Sequence, residues 1–458
     1  MASPPARAER TDEGHAAPTV WRSRPARRSR RAGTAARRRA NPVARFLKIL
    51  GPGLITGASD DDPSGIGTYA TAGAGAGFAT LWTAILTYPM MAVVQFICAK
   101  VGLVSGMGLA GVLRRHYPRW LLYPAVLLLT VANTINAGAD IGAVAAGINL
   151  ITGAPTWLMV LPVTGANLGL QVWGSYRLIT NTFKWLTLAL LAYFGAGFLS
   201  HPDWGAVLRH TFIPTVRLDS EFLAVLVAIL GTTISPYLFF WQASEEVEEE
   251  ITLGRTKLRQ RQGATKQELR YAWLDVNAGM AFSNLVMYVI ILTTAATLHQ
   301  AGQTDIQSAA DAAQALRPIA GDAAGVLFAL GLIGAGFLAV PILTGSAAYA
   351  VSEAFGWKYG LDEKPARAKQ FYAVIVVASL AGTAMDFTGI NPIDALFWTA
   401  VINGFVAPPL LVLIMHMANN ERVMGERRNH ALANAVGWAT SAIMVAAAAG
   451  LVLTWRAA

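Results

Sequence analysis

Long apolar stretches separated by short polar connections run through most of this 458-residue chain. Stretches of this length are what a helix needs to cross a lipid bilayer. The pattern predicts about eleven spans, near residues 46–72, 80–100, 119–150, 155–174, 178–199, 220–245, 270–298, 321–352, 369–386, 392–416 and 430–455. Charged residues make up only 14% of the chain, against about 25% in soluble proteins. We therefore expect an all-α membrane protein.

Basic residues are concentrated before the first span and in alternate loops. The connections 72–80 and 151–156 contain no charged residue, whereas the connection 254–270 is rich in Lys and Arg. Cytoplasmic loops carry the excess of Lys and Arg in membrane proteins. The distribution predicts a multi-pass protein of the plasma (inner) membrane with a cytoplasmic N-terminus and, because the span number is odd, an external C-terminus.

The first 42 residues form a basic tail that is rich in Pro and Ala and predicted to be disordered. Such a tail resembles a nucleic-acid-binding arm or a transit peptide, but basic tails before a first span more often set topology or contact anionic lipid. We expect no nucleic-acid partner. Residues 43–458 are predicted to form one transmembrane domain, and Cys98, the single cysteine, lies inside an apolar span.

Three carboxylates followed by proline interrupt the first span at Asp60-Asp61-Asp62-Pro63. Each carboxylate would cost about 3 kcal/mol at the centre of a lone membrane helix. Proline removes a backbone donor and disfavours helical geometry in the residue before it. The first span should therefore be a broken helix whose carboxylates and freed carbonyls face protein or a wet cavity, a suitable place for a hard cation.

A second polar, proline-containing interruption occurs in the sixth span, from Gly231 to Tyr237. The two interruptions are five spans apart, so the second copy of a five-span unit would enter the membrane from the opposite side. Paired breaks in two inverted halves indicate a transporter binding site. We expect repeats over about 46–199 and 220–416, with an additional span at about 430–455.

Asp62 is the first candidate metal ligand, because it directly precedes the proline. Further candidates lie in the same two interruptions: Asp60, Asp61, Thr232, Ser235 and Tyr237. Hydroxyls of membrane Ser and Thr often bond the preceding turn instead, which we expect more of Thr233 than of the residues beside the break.

Other acidic residues suggest a pathway. Asp140 is an intramembrane carboxylate in the third span, on the same helical face as Asn136. Either it belongs to the ion route or it makes interhelical hydrogen bonds. Glu245 and Glu246 lie where the sixth span is predicted to end on the cytoplasmic side; they either attract cations at the inner exit or form a solvated helix end.

The segments Gly51-Pro52-Gly53 and Asp62-Pro63-Ser64-Gly65 resemble the first span of the Nramp divalent-metal transporters, whose pattern is Asp-Pro-Gly-Asn. The sixth-span interruption resembles their Ala-x-x-Met-Pro-His, and residues 391–425 are also similar. The resemblance covers about residues 46–428. It implies a LeuT/APC-type inverted repeat of spans 1–5 and 6–10 with helices 1 and 6 broken.

The sequence departs from that family at the positions expected to bind metal. The resemblance places Gly65 at the family's metal-binding asparagine, Thr232 at an alanine whose carbonyl binds metal, Ser235 at the methionine and Tyr237 at the histidine. In the third span, Asp140 replaces a glutamate of the proton route. A binding site that offers oxygen ligands and no sulfur favours Mg²⁺, Mn²⁺ and Ca²⁺. The pattern is similar to the Nramp-related magnesium transporters, which work without obligatory proton coupling.

The resulting hypothesis is a carrier, not an enzyme, that imports Mg²⁺ and Mn²⁺ by alternating access and needs no cofactor beyond its cargo. An ordinary proton-coupled Mn²⁺/Fe²⁺ importer is the nearest alternative. An intramembrane aspartyl hydrolase that pairs Asp62 with Asp140 and a transport-dead magnesium sensor are more distant ones. The hydrolase needs both carboxyl groups within hydrogen-bond distance.

Overall fold

The computed structural model describes residues 51–174, 188–361 and 363–455, and every regular element in these ranges is helical. The first half of the chain contains α1 (Pro52–Asp60), α2 (Pro63–Ala76), α3 (Thr83–Ser105), α4 (Leu109–His116), α5 (Arg119–Thr152), α6 (Thr156–Trp173), α7 (Ala192–Leu199) and α8 (Trp204–Phe212). The second half contains α9 (Ser220–Thr233), α10 (Pro236–Thr252), α11 (Lys266–Thr294), α12 (Ala324–Phe355), α13 (Lys369–Met385), α14 (Pro392–Asn419) and α15 (Ala431–Trp455).

Seven helical segments in the described ranges are long and apolar enough to cross a membrane: α3, α5, α9 with α10, α11, α12, α14 and α15. The broken pair α1–α2, together with α6 and α13, corresponds to the predicted first, fourth and ninth spans. Part of the predicted fifth span, residues 178–187, lies outside the described residues, and α7 covers its end. The arrangement is the inverted repeat with two broken helices that the sequence predicts.

Proline starts the second half of each broken helix. Asp62 adopts extended geometry (φ −70°, ψ 168°), and Pro63 occupies the first turn of α2. In the same way Ser235 is extended (φ −78°, ψ 131°), and Pro236 opens α10. Proline suits the first helical turn because its missing N–H would have no helical partner there, while it keeps the preceding residue extended.

Glycines let the first half of each broken helix press against a neighbour, backbone to backbone. A Cβ on Gly57 of α1 would lie 2.3 Å from the Gly279 carbonyl oxygen on α11. A Cβ on Gly231 of α9 would lie 2.0 Å from the Ala400 carbonyl oxygen on α14. These contacts leave no room for a methyl group, so they fix where the two breaks lie.

The start of α1 is held by a carboxylate from another span. Asp275 on α11 accepts hydrogen bonds from the backbone N–H groups of Gly51 (2.9 Å), Gly53 (2.6 Å) and Leu54 (3.1 Å). A helix N-terminus has unsatisfied N–H groups and a partial positive charge. An acidic side chain accepts hydrogen bonds from the former and compensates the latter. Asp275 therefore anchors the half-helix that leads to the first break.

The sixth span is longer than predicted. We expected it to end near residue 245, but α10 continues to Thr252. The acidic run lies inside this helix, and Glu246 and Glu250 are only 3% and 4% exposed. The helix continues because these acids have partners: Gln242 donates to Glu246 at 2.9 Å, and Arg255 pairs with Glu250.

Candidate metal centre

The two breaks meet at Gly65, in the first turn of α2. Beyond the glycine's own turn, the three heavy atoms nearest to the position of an absent Cβ are all oxygens. They are Thr232 Oγ1 at 3.1 Å, the Asp60 carbonyl oxygen at 3.3 Å and Asp62 Oδ1 at 3.4 Å. One comes from the sixth span and two from the first. These three oxygens, called the ring below, face the side of Gly65 that carries no side chain, and oxygen is the ligand that a hard cation prefers.

Asp62 is fixed in this ring by neutral donors. Its Oδ1 caps α2 by accepting from the Gly65 N–H (2.7 Å) and the Ser64 hydroxyl (2.8 Å). Its Oδ2 lies 3.3 Å from Asn136 Nδ2 on α5 and 3.3 Å from the Tyr237 hydroxyl on α10. None of these groups is positively charged, so the hydrogen bonds orient the carboxylate without neutralising it.

The ends of two helices add to the preference for a cation. The C-terminal ends of α1 and α9 both lie at the breaks, and their last carbonyls carry partial negative charge. Asp60 is the last residue of α1, and Thr232 lies in the last turn of α9. Half-helix C-termini of this kind coordinate cations in transporters built from broken helices.

Several buried oxygens around the breaks have no hydrogen-bond partner among the described residues. They are Thr232 Oγ1, Asn136 Oδ1, Asp60 Oδ1, Asp61 Oδ2 and both carboxylate oxygens of Asp140. Buried polar atoms are nearly always bonded, so each exception calls for an explanation. Because all of these atoms can accept, a cation or its water molecules would supply the missing partners.

The side chains of Asp60 and Asp61 turn away from the ring. Ser283 on α11 lies 2.5 Å from Asp60 Oδ2 and 3.2 Å from Asp61 Oδ1. We expected both acids on the unwound turn with Asp62, but Asp60 still belongs to α1. Asp60 therefore approaches the ring through its carbonyl. The role of Ser283 could not be predicted, because it is one serine in an apolar span.

Ser235 closes the second break. Its hydroxyl lies 2.5 Å from the Thr232 carbonyl and 3.0 Å from the Gly231 carbonyl. The hydroxyl hydrogen thus stabilises the freed carbonyls, and only the lone pairs of Oγ remain for an ion or water. Thr233 donates to the Ile229 carbonyl at 2.7 Å, the back-bonding expected for it.

Tyr237 joins both broken helices. Its hydroxyl donates to the Ser59 carbonyl on α1 at 2.9 Å, and it also reaches the Asp62 carboxylate. A hydroxyl has one hydrogen, so Ser59 and Asp62 share a single donor. Tyr237 thus holds α10 against the end of α1 and forms one wall of the ring.

Asp140 lies one helical turn beyond Asn136, the residue that contacts Asp62. It is fully buried, and no hydrogen bond joins its carboxylate to that of Asp62. The two acids therefore do not form the proton-sharing pair that an aspartyl hydrolase requires. The carboxylate of Asp140 remains a buried acceptor beside the metal centre.

Glu245 and Glu246 belong to the other end of α10. Glu246 is eleven residues from Ser235, about 16 Å along the helix at 1.5 Å per residue. It accepts from Gln242, which in turn accepts from the Thr56 hydroxyl of α1 at 2.6 Å. The sequence did not indicate this link between α10 and α1, which ties the two half-helices together on one side of the breaks.

No group of three His, Cys, Asp or Glu side chains forms a metal cluster within residues 51–174, 188–361 and 363–455. The centre instead combines one carboxylate with carbonyl and hydroxyl oxygens. Asp62, Thr232, Ser235 and Tyr237 are each at most 1% exposed, so the ring is closed to both faces of the protein.

Comparison with known proteins identifies the lineage of this arrangement. Residues 53–454 match the family described as "Natural resistance-associated macrophage protein-like", or Nramp. The chain belongs to the Nramp family. The match covers both broken helices, so the Nramp fold accounts for the way in which they meet.

Two Nramp relatives span nearly the whole chain. The "Divalent metal cation transporter MntH" of Deinococcus radiodurans is 27% identical over 428 residues, which cover 91% of this chain and 92% of the relative. The protein of the same name from Aeromonas hydrophila is 26% identical over 414 residues, covering 89% and 96%.

Solved structures show the same fold. The Eremococcus coleocola manganese transporter superposes with a TM-score of 0.66 at 18% identity, over 88% of this chain and 85% of that one. The nucleobase-cation-symport-1 transporter Mhp1 in a closed conformation gives a TM-score of 0.53 at 14% identity, over 88% and 91%. At these identities the likeness concerns the fold alone.

Proposed function

We propose that this Nramp protein carries divalent metal cations across the membrane, with Mg²⁺ and Mn²⁺ as its cargo. The observation that carries the proposal is the ring of three oxygens around Gly65, closed by Asp62 from the first span and Thr232 from the sixth. Full-length relatives bear the name divalent metal cation transporter, which supports the class of cargo.

The dimensions of the ring favour an ion that keeps part of its water. The three oxygens lie 3.1–3.4 Å from the position that a Cβ on Gly65 would take, and an ion must stand farther from the Gly65 backbone than that position. Direct Mg²⁺–O bonds are about 2.0–2.1 Å long, and Mg²⁺ gives up its water reluctantly. We therefore expect an ion bound directly by Asp62, with water reaching Thr232 and the Asp60 carbonyl.

The residues that replace the family's ligands support Mg²⁺. Gly65 stands where the resemblance puts an asparagine, and Ser235 where it puts a methionine. Thioether sulfur favours softer transition metals, whereas hydroxyl, carbonyl and carboxylate oxygens suit Mg²⁺ and Mn²⁺. A site that has no thioether ligand, and more room than the family's asparagine and methionine leave, has no ligand that favours Fe²⁺ over Mg²⁺.

Transport would proceed by alternating access without obligatory proton coupling. The half-helices α1 and α9 carry the ring and would move against the other spans to open it to one side at a time. Two charges that cross 100 mV supply about 4.6 kcal/mol, which is enough to drive uptake. Tyr237 replaces the histidine of the ordinary family pattern, which removes from the centre a side chain that ordinarily titrates near neutral pH.

The proton-coupled Mn²⁺/Fe²⁺ importer is the second candidate. Asp140 favours it, because this buried carboxylate has no hydrogen-bond partner and lies one turn from the residue that contacts Asp62. A proton on Asp140 that left during each cycle would couple the two fluxes.

Uptake of Mn²⁺ into proteoliposomes, with a pH-sensitive dye inside, tests the proposal. We expect Mg²⁺ to compete with Mn²⁺, the lumen to stay at constant pH, and Asp62→Asn to abolish uptake. Asp322→Asn removes a charge from an exposed loop residue and serves as the matched control. Mn²⁺ uptake that excess Mg²⁺ leaves unchanged contradicts the choice of cargo, and acidification in step with Mn²⁺ establishes the coupled alternative. Binding without flux would indicate a sensor.

A further inference from the structure

A cavity of about 550 Å³ opens on the face where the loops carry few basic residues, the predicted outside. It lies between α5, α6, the segment before α12 and the connection from α13 to α14. Its polar lining includes Asn149, Ser308, Asp386 and Asn391. Asp386 is the only charged residue in the part of the lining that the structure describes.

Asp386 packs against α5 at the edge of this cavity. It follows the last residue of α13, and its Oδ1 would lie 2.4 Å from a Cβ on Gly142 of α5. One turn deeper, Gly138 and Gly382 bring the same two helices into backbone contact, since a Cβ on Gly138 would lie 2.4 Å from the Gly382 carbonyl oxygen. The carboxylate thus rests on a tightly packed pair of helices.

The charge of Asp386 is not compensated by its surroundings. Its Oδ2 is buried without a hydrogen-bond partner, and no ion pair within the described residues includes it. The neighbouring acids are occupied: Asp305 accepts from Gln307 at 2.9 Å, and Asp311 accepts from Ser308 at 2.8 Å. A single carboxylate without a cationic partner therefore lines a cavity whose other lining residues are all neutral.

We propose that Asp386 is an outer capture site for a hydrated divalent cation on its way to the metal centre. Mg²⁺ typically keeps several waters and binds to one or two carboxylates. Six waters at about 30 Å³ each occupy about 180 Å³, so the hydrated ion fits the cavity. Gly142, against which Asp386 lies, is six residues beyond Asn136 on α5, about 9 Å along the helix.

This inference rests on the proposed transport of divalent cations, and it predicts a defined kinetic effect. Asp386→Asn should raise the half-saturating external Mg²⁺ concentration about three- to ten-fold at low ionic strength, with the maximal rate retained, because a fixed charge concentrates counter-ions. High monovalent salt should abolish the difference by screening. Asp386→Glu should behave like the parent protein.

Two further variants keep the test decisive. Asp322→Asn removes an exposed loop carboxylate outside the cavity and should leave half-saturation unchanged. Ala310→Asp adds a carboxylate at an exposed position of the cavity lining and should lower the half-saturating concentration. This gain does not depend on how well Asp386→Asn folds.

Three results would overturn the capture site: parental kinetics for Asp386→Asn, equal shifts for the two Asp→Asn variants, or a loss confined to the maximal rate. The measurements are made with Mn²⁺ as well as Mg²⁺. A wrong choice of cargo then appears as absent Mg²⁺ flux in the parent protein, and a wrong capture site as unaltered Mn²⁺ half-saturation in Asp386→Asn.

Discussion

Replacing Gly65 by alanine would put a methyl group at the point where the two breaks meet. The new Cβ would lie 3.1 Å from Thr232 Oγ1, 3.3 Å from the Asp60 carbonyl oxygen and 3.4 Å from Asp62 Oδ1. These oxygens would have to give way by only a few tenths of an ångström, so the fold should tolerate the substitution. The space between them, however, would no longer be free for an ion or its water.

The structure sets the expected size of both effects. Gly65 lies in the first turn of α2, and alanine in a helix is more stable than glycine by about 0.5–1 kcal/mol, which offsets the crowding. The net change in unfolding free energy should be close to zero. Loss of one ion–oxygen or ion–water contact should raise the half-saturating Mg²⁺ concentration at least about tenfold, equivalent to about 1.4 kcal/mol.

The assay is Mg²⁺ uptake into proteoliposomes over a range of concentrations, together with a thermal unfolding curve for each variant. Gly75→Ala is the matched control, since it makes the same change on the same helix. A Cβ there would meet only the Thr304 carbonyl oxygen, at an ordinary 3.6 Å. We expect a selective loss of Mg²⁺ affinity in the Gly65 variant, with both variants as stable as the parent.

Parental half-saturation in a stable Gly65→Ala protein would show that neither the ion nor its water occupies the space beside Gly65. An equal loss in the Gly75 variant would mean that α2 as a whole, and not the ring of oxygens, is sensitive to added volume.

Three other substitutions test the elements that support the ring. Asp62→Asn keeps a good helix cap but removes the charge, so flux should vanish while the unfolding midpoint changes little; retained flux would exclude Asp62 as a ligand. Asp275→Ala removes a charged acceptor from three backbone N–H groups, and each such hydrogen bond contributes about 1.5–3 kcal/mol to stability. The substitution should therefore accelerate hydrogen exchange in α1. Unchanged exchange would contradict the anchoring role of Asp275. Gly57→Ala should lower the free energy of unfolding by about 1–3 kcal/mol, because the methyl group would collide with Gly279. Gly165→Ala, whose new Cβ would have no atom within 4 Å, should leave it unchanged. Equal unfolding midpoints for the two variants would contradict the close packing of α1.

The positions of the breaks could be predicted because their cause is local. Proline fixes its own backbone and the geometry of the residue before it, whatever the rest of the fold does. Asp62-Pro63 and Ser235-Pro236 are therefore visible in the sequence as the ends of half-helices. The spacing of five spans between them then indicates the inverted repeat.

The partners of the buried acids could not be predicted, because they come from distant parts of the chain. Asp60 and Asp61 turn to Ser283, more than two hundred residues away, and nothing near Ser283 in the sequence distinguishes it from any other membrane serine. Asp275 anchors α1 through three backbone N–H groups more than two hundred residues away in the sequence. Which way a side chain turns depends on the packing of helices, which periodicity alone does not give.

The length of the sixth span was misjudged for a related reason. A run of glutamates was expected to end the buried part of the span near residue 245, because isolated charges avoid apolar surroundings. Glu246 is nevertheless buried, since Gln242 donates to it from the preceding turn and itself accepts from Thr56 on α1. Hydrogen bonds between the two half-helices thus extend the packed helix.

The most direct test of the metal centre is the position of Mn²⁺ in crystals of this protein, found from its anomalous scattering. We expect one peak at the ring, next to Asp62 Oδ1, Thr232 Oγ1 and the Asp60 carbonyl oxygen, and we expect excess Mg²⁺ to displace it. A peak elsewhere in the membrane domain, or a peak at the ring that Mg²⁺ does not displace, would contradict the proposed metal centre.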